Sequence, residues 1–429
     1  MEFSLIKFKK KLFLIIGILS TLGALMIKVG DSNLSIINFF IALLIMIQIA
    51  SGKIYTYKHR MNLVLFLLLM AFSAFININN MPDTWSPLSI KGTLKFLTLV
   101  LPFCLFFSDG EFRAYRDDFF KGLKISAYIQ LVWEIFQLIL WNISHVSLNE
   151  IIFGNIMGLK IRHHWTFISD GRFRPSGVSW EPANLSLSLV MGYCLSKNKY
   201  AKMLFVLGVL LSTSRTGVIM IGICIFLDLI KCFKEKFRYR GKFELKKSDI
   251  LVCILIINIV LIIFLIFSDR VEIIYQTAVE NISKTIQKLS LSHLTEDASA
   301  NMHSLYYIKV PFILFNSTLF NILFGYGTFA AGLPYMQILN IYSWKIGWNP
   351  ETDFITILMG NGVIGLVIYL TILYKCYKYN YKNYQYRQII TIIFFAGIFY
   401  LYIRSTWPFL ILIFLFIDDR RVENKYRLN

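Results

Sequence analysis

The sequence predicts an all-α, polytopic membrane protein with about twelve transmembrane helices and two long loops on one side of the bilayer. Three observations carry this prediction. Of the 429 residues, 56% are apolar and 16% charged, against roughly 45–50% and about 25% in soluble domains. Apolar stretches of about 15 to 20 residues recur from one end of the chain to the other, the length that crosses a hydrocarbon core. The formal net charge of +19 is gathered on alternate loops, as the positive-inside rule requires. An ordinary soluble enzyme is excluded, and the basic excess calls for no nucleic-acid partner.

Four lysines, Lys7, Lys9, Lys10 and Lys11, precede the first apolar run, Leu12 to Ile27. No small-residue cleavage site follows, so the run reads as a retained helix with its N-terminus inside. Further spans are expected at Leu34–Ala50, Met61–Ile76, Leu94–Phe107, Ile125–Trp141, Pro182–Ser196, Tyr200–Ser214, Thr216–Ile230, Ile250–Phe267, Asp353–Tyr374, Ile389–Ile403 and Thr406–Ile417. With both termini cytoplasmic, most of the 44 Lys and Arg fall on the inner side, including the run at 231–247. The apolar stretch 306–324 contains Lys309, Pro311, Asn316 and Asn321, and is expected to lie on the outer surface as a helix.

Two outer loops, 142–181 and 268–352, are much longer than hairpin connections, which places work on that side. The second opens with Val271, Ile274, Ala278, Ile282, Ile286 and Leu289 at helical spacing, the pattern of an interfacial amphipathic helix. No cysteine lies in either long loop, so no disulfide framework is implied. The chain shows no internal repeat, low-complexity tract or soluble domain, and 1–429 reads as a single integral membrane domain.

Phosphate-binding glycine loops, metal-spaced Cys/His sets and serine-nucleophile elbows are absent, and no metal or cofactor is expected. The doublet His163-His164 beside Arg162 lacks the third ligand a chelate needs. Arg172, Arg174 and Glu181 stand together at a membrane mouth, before a span that Pro182 can open. The segment Leu210 to Gly217, LLSTSRTG, divides about thirty apolar residues into two short helices and puts Arg215 at a helix start below the outer surface. Free N–H groups and the helix dipole favour an anion there, and an intramembrane arginine is itself a functional signal. Gln130, Glu134 and Gln137 form a polar stripe on one helix face, with Glu134 expected to pair with a cation such as Arg215. Gly325, Gly327, Gly360, Gly362 and Gly365 read as turn and packing positions.

Together these stretches resemble the O-antigen polymerase and O-antigen ligase superfamily of bacterial envelope glycosyltransferases. The resemblance rests on Arg174-Pro-Ser-Gly177 leading to Glu181-Pro-Ala-Asn184, then Ser214-Arg215-Thr-Gly217, then the pair Gly325 and Gly327 before a span with Gly362 and Gly365. It implies a metal-independent, GT-C-like enzyme of the bacterial inner membrane, acting on undecaprenyl-diphosphate-linked saccharide at the outer face. A polymerase of this Wzy type moves the growing glycan onto the non-reducing end of a new lipid-linked repeat unit. Implied partners are membrane lipids, a chain-length regulator of the Wzz type and a flippase of the Wzx type.

Such a transfer needs cations on the leaving diphosphate and a group that takes the acceptor proton. Arg174 and Arg215 fit the first role and Glu181 the second, with Arg172, Arg162, Glu134, His303, Glu351 and Asp353 as further substrate contacts. Where many relatives have an arginine in the second loop, this chain reads Asn301-Met302-His303-Ser304. The ligase-like His-Asn before the late span is replaced by Asn349-Pro350-Glu351-Thr352-Asp353, which favours polymerase. The alternatives are an O-antigen ligase or related envelope glycan transferase, or a lipid-linked oligosaccharide flippase. A lipid-linked oligosaccharide flippase or a membrane scaffold would leave the charged loop edges and Arg215 without a task.

Overall fold

Hydropathy sets where most helices fall, and tertiary contacts set where they stop. The computed structural model describes residues 2–29, 32–51, 60–82, 85–159, 167–169, 172–179, 181–240, 307, 309–339, 350, 352–400 and 406–417. They are mostly helical, and four helical stretches are long and apolar enough to cross a membrane: Ser89–Phe106, Asp109–Ser144, Arg215–Phe233 and Asp353–Tyr379. Shorter apolar helices cover Ile36–Ala50, Met61–Ile76, Pro182–Leu195 and Thr406–Leu415. The chain divides into two units, residues 1–224 with 318–429, and residues 225–317.

In the larger unit the order begins with α1 (Glu2–Leu19), the hairpin β1 (Met26–Val29) and β2 (Ser32–Ser35), α2 (Ile36–Ala50) and α3 (Met61–Ile76). The first expected span is corrected here. The helix ends at Leu19, eight residues before Ile27, and Met26 to Val29 pair antiparallel with Ser32 to Ser35. The Ala24 N–H bonds the Val178 carbonyl at 3.2 Å, so the chain leaves the helix to dock on the loop at 174–179. At the other end α1 reaches back to Glu2, because Lys9 is buried against Gln48 and lies 3.4 Å from Glu111.

Next come α4 (Ser86–Lys95), a π-helical turn at Phe96–Val100 and α5 (Leu101–Phe106). Pro102 removes an N–H and crowds the preceding turn, and the widened π turn absorbs the conflict. In α6 (Asp109–Ser144), Ser108 and Glu111 form a reciprocal capping box. At 36 residues α6 is about 54 Å long, well beyond a hydrocarbon core of about 30 Å. Its residues 109–124 hold eight charged side chains, whereas 125–144 hold Glu134 alone, so only the second part suits lipid.

A π-helical segment (Glu150–Ile156) and the hairpin β3 (Phe167–Ser169) with β4 (Arg172–Arg174) lead to α7 (Pro182–Leu195), α8 (Lys199–Leu211) and α9 (Arg215–Arg240), which continues into the smaller unit. In the smaller unit a second helix covers 309–315. The stretch 306–324, expected as one surface helix, is broken: the chain turns at Asn316-Ser317, and Thr318 caps a separate six-residue helix α10 (Leu319–Phe324). Then follow α11 (Leu333–Leu339), α12 (Asp353–Tyr379), α13 (Tyr384–Phe399) and α14 (Thr406–Leu415).

Two buried assemblies organise the larger unit. At one end Phe13, Phe103, Phe107, Phe112, Phe119 and Phe414 interlock in edge-on and stacked pairs with centroids 4.4–6.5 Å apart. At the other, α12 is kinked at Gly362, and the Met359 and Gly360 carbonyls accept from the Tyr326 and Gly327 N–H groups at 2.8 and 2.7 Å. The GYGTFAAG segment therefore satisfies the backbone that the kink exposes, the structural role read for these glycines. The expected span Ile250–Phe267 and the amphipathic helix from Val271 lie outside the described residues.

Candidate active site

The site is built where three segments of sequence meet: the loop 174–179, the start of α7, and the break between α8 and α9. The loop is fixed from below by α6. Gln130 Oε1 accepts from the Val178 N–H and Gln137 Oε1 from the Gly177 N–H, both at 2.7 Å. Gln130 Nε2 donates to Ser179 Oγ at 2.6 Å and to the Thr21 carbonyl at 2.8 Å. Asn149 Nδ2 adds bonds to Ser176 Oγ and the Gly177 carbonyl at 3.0 and 2.9 Å, and Trp133 Nε1 holds the Asn149 oxygen at 2.8 Å. Gly177 has φ +64°, and a β-carbon there would come within 2.1 Å of Gln130 Oε1, so only glycine fits. The Arg174-Pro-Ser-Gly177 motif thus ends in a buried turn whose Gly177 N–H and carbonyl and Val178 N–H are all held by side chains.

Arg174 leaves this loop half-buried and crosses to the helix break. Its Nε donates to Thr213 Oγ1 at 3.1 Å and its Nη2 to the Thr213 carbonyl at 3.2 Å. Behind it, Phe173 stacks on Trp141 of α6, with rings 4.6 Å apart and 12° from parallel. Thr213 sits at φ +51°, an outlier for a β-branched residue that costs about 1–3 kcal/mol and is typical of functional turns. The break that holds it is ordered from within. Ser214 caps α9, its Oγ accepting from the Gly217 N–H at 3.3 Å, and the hydroxyls of Ser214 and Ser186 are 3.0 Å apart. A β-carbon on Gly217 would meet Ser186 Cβ at 2.4 Å, so glycine sets the close approach of α9 to α7. Arg215, half-buried, is the first residue of α9.

Glu181 is the residue before Pro182 and the N-cap of α7, in extended conformation, yet its carboxylate makes no capping bond. It accepts instead from the hydroxyl of Tyr400, at the end of α13. Asn184 Nδ2 donates to the same hydroxyl at 3.4 Å, and the Tyr400 carbonyl accepts from the Asp353 N–H at 3.2 Å. Glu181 lies five residues before Ser186, about 7.5 Å along the helix axis. Glu181 thus stands at the start of α7 and Arg215 at the start of α9, two helices joined through Ser186 and Ser214, while Arg174 bonds Thr213 just before α9.

Glu134 is a correction. Both its oxygens are buried without a hydrogen-bond partner, so the pairing expected with Arg215 is not made. The carboxyl lies against Gly208 of α8, with Leu131 and Leu189 alongside. Its neighbours in the stripe, Gln130 and Gln137, hold the loop. Asp353 is buried as the first residue of α12, next to Gly397 of α13. Arg162, His303 and Glu351 lie outside the described residues, as does the side chain of Arg172. Sequence reasoning missed Tyr400, which sits beyond the last motif and carries no pattern of its own.

Among the described residues no three His, Cys, Asp or Glu side chains are grouped to hold a metal ion. Chemically, the site offers guanidinium donors on two elements and a half-buried carboxylate with one oxygen engaged by a phenol. Compared with known proteins, the chain matches no family model, and no curated protein matches it significantly.

Proposed function

We propose that the protein is an O-antigen polymerase of the bacterial inner membrane, with about twelve spans in a GT-C-like arrangement, that joins undecaprenyl-diphosphate-linked repeat units at the outer face. The observation that carries this reading is the Arg174–Thr213 contact. It ties a guanidinium from the outer loop to the helix break where Arg215 begins α9, and at the start of the neighbouring α7 the Glu181 carboxylate makes no capping bond.

In this mechanism Arg174 and Arg215 neutralise the leaving lipid diphosphate, assisted by the positive end of the α9 dipole. Glu181 takes the proton of the acceptor hydroxyl as that oxygen forms its bond to the anomeric carbon. The bond from that carbon to the diphosphate breaks, and the diphosphate leaves with the electron pair. The paired guanidinium groups supply the charge stabilisation that a metal ion gives in other glycosyl transfers, so no metal is required.

The test is reconstitution. Purified protein given synthetic polyprenyl-diphosphate-linked repeat units, with chelator present, should lengthen the glycan on the lipid. Transfer to a lipid A core acceptor without lengthening would make it a ligase, and unchanged glycan would sink both readings.

A further inference from the structure

We propose that Tyr400 is a positioning residue that aims Glu181 at the acceptor hydroxyl, an inference that rests on the polymerase reading. Tyr400 is built to stay where it is. It ends α13 in extended conformation, with its N–H on the Ala396 carbonyl at 2.8 Å and its own carbonyl taken by the Asp353 N–H at 3.2 Å. The backbone is thereby clamped between α13 and the start of α12, and the phenol reaches across to α7.

There its hydroxyl donates to Glu181 Oε2 while accepting from Asn184 Nδ2. A hydroxyl has one proton to give, and Asn184 occupies an acceptor position, so the proton is directed at the carboxylate. Glu181 is the N-cap of α7, its carbonyl bonded to the Asn184 and Leu185 N–H groups, but its carboxylate makes no capping bond there and turns to the phenol. In the transfer, the acceptor O–H proton goes to Glu181, the oxygen bonds the anomeric carbon, and the diphosphate departs with the electrons of the broken bond. Tyr400 keeps its own proton throughout and touches no reacting atom.

The experiment is a double-mutant cycle on the full-length protein, using synthetic polyprenyl-diphosphate-linked repeat units. Tyr400→Phe should lower turnover by about tenfold, a fraction of what general-base catalysis contributes, with the KM for the acceptor within about twofold. In the Glu181→Gln background the same change should cost nothing further, because its effect passes through Glu181. A role confined to holding α13 on α7 would instead reduce both backgrounds equally.

Should Tyr400→Phe fail to accumulate, Asn184→Asp keeps the ring and offers the phenol a competing carboxylate, and the same loss is expected. Equal losses in the two backgrounds, or wild-type turnover in both Tyr400→Phe and Asn184→Asp, would overturn the role of Tyr400 while the wild-type protein still polymerises. No polymer from the wild-type protein would overturn the polymerase reading and this inference with it.

Discussion

Arg174 and Thr213, 39 positions apart, are joined by two hydrogen bonds, Nε to Oγ1 at 3.1 Å and Nη2 to the carbonyl oxygen at 3.2 Å. The pair couples the loop after β4 to the left-handed turn that separates α8 from α9. Thr213 holds the guanidinium from a left-handed conformation, φ +51°.

This coupling makes the arginines unequal. Lys keeps the charge but loses the two-pronged fork, and at Arg174 it cannot hold both Thr213 atoms. Arg174→Lys and Arg215→Lys should both reach the membrane in normal amounts. Polymer formation should fall by roughly tenfold for the first and on the order of a hundredfold for the second, whose site lies at a helix start. Initial rates with a labelled lipid-linked repeat unit measure this, and full activity of Arg215→Lys would remove it from the site.

Glu181→Gln preserves shape and removes basicity. Turnover should drop by about 10² or more with little change in acceptor KM. Wild-type glycan lengths at normal abundance in cells carrying this variant would reassign Glu181 as a partner for a loop arginine.

Gly177→Ala tests the loop rather than the chemistry. The positive φ alone costs a β-carbon-bearing residue about 1–3 kcal/mol, and the contact with Gln130 adds to it. Lower apparent thermal stability in detergent and faster proteolysis between residues 160 and 180 are expected. A variant as stable as the parent would show that Gln130 does not clamp this turn.

Glu134 has no partner to offset the cost of burying its carboxyl. Glu134→Leu should therefore be neutral or stabilising, by up to about 1–3 kcal/mol, with polymer formation retained. Loss of activity without loss of stability would return Glu134 to the list of substrate contacts.

Topology is open to labelling. In a cysteine-free background, a cysteine at His145, exposed where α6 ends, should react with an impermeant reagent from outside. A cysteine at Lys197, between α7 and α8, should react only after permeabilisation. The reverse pattern would invert the protein in the membrane.

The sequence by itself determined where helices run wherever the apolar stretch is long and its neighbours along the chain decide its fate. Met61–Ile76 is found with the expected bounds, and α7, α8 and α14 begin or end within a few residues of theirs. The break at Leu210 to Gly217 was legible too, because a run of about thirty apolar residues is too long for one crossing and Ser-Thr-Ser can cap.

Only the tertiary structure decided what distant segments do to one another. Residues 20–27 are apolar enough to prolong α1, but Ala24 gains a backbone bond to Val178 and the chain turns into a hairpin. Glu134 and the glutamines beside it look alike on a helix wheel. Two of the three meet the N–H groups of a loop 40 or more residues away, and the third meets a glycine backbone and two leucines. Tyr400 reaches Glu181 across 219 positions. Hydropathy and spacing record a residue's neighbours along one chain segment, whereas a hydrogen-bond partner is chosen by packing, which local sequence does not specify.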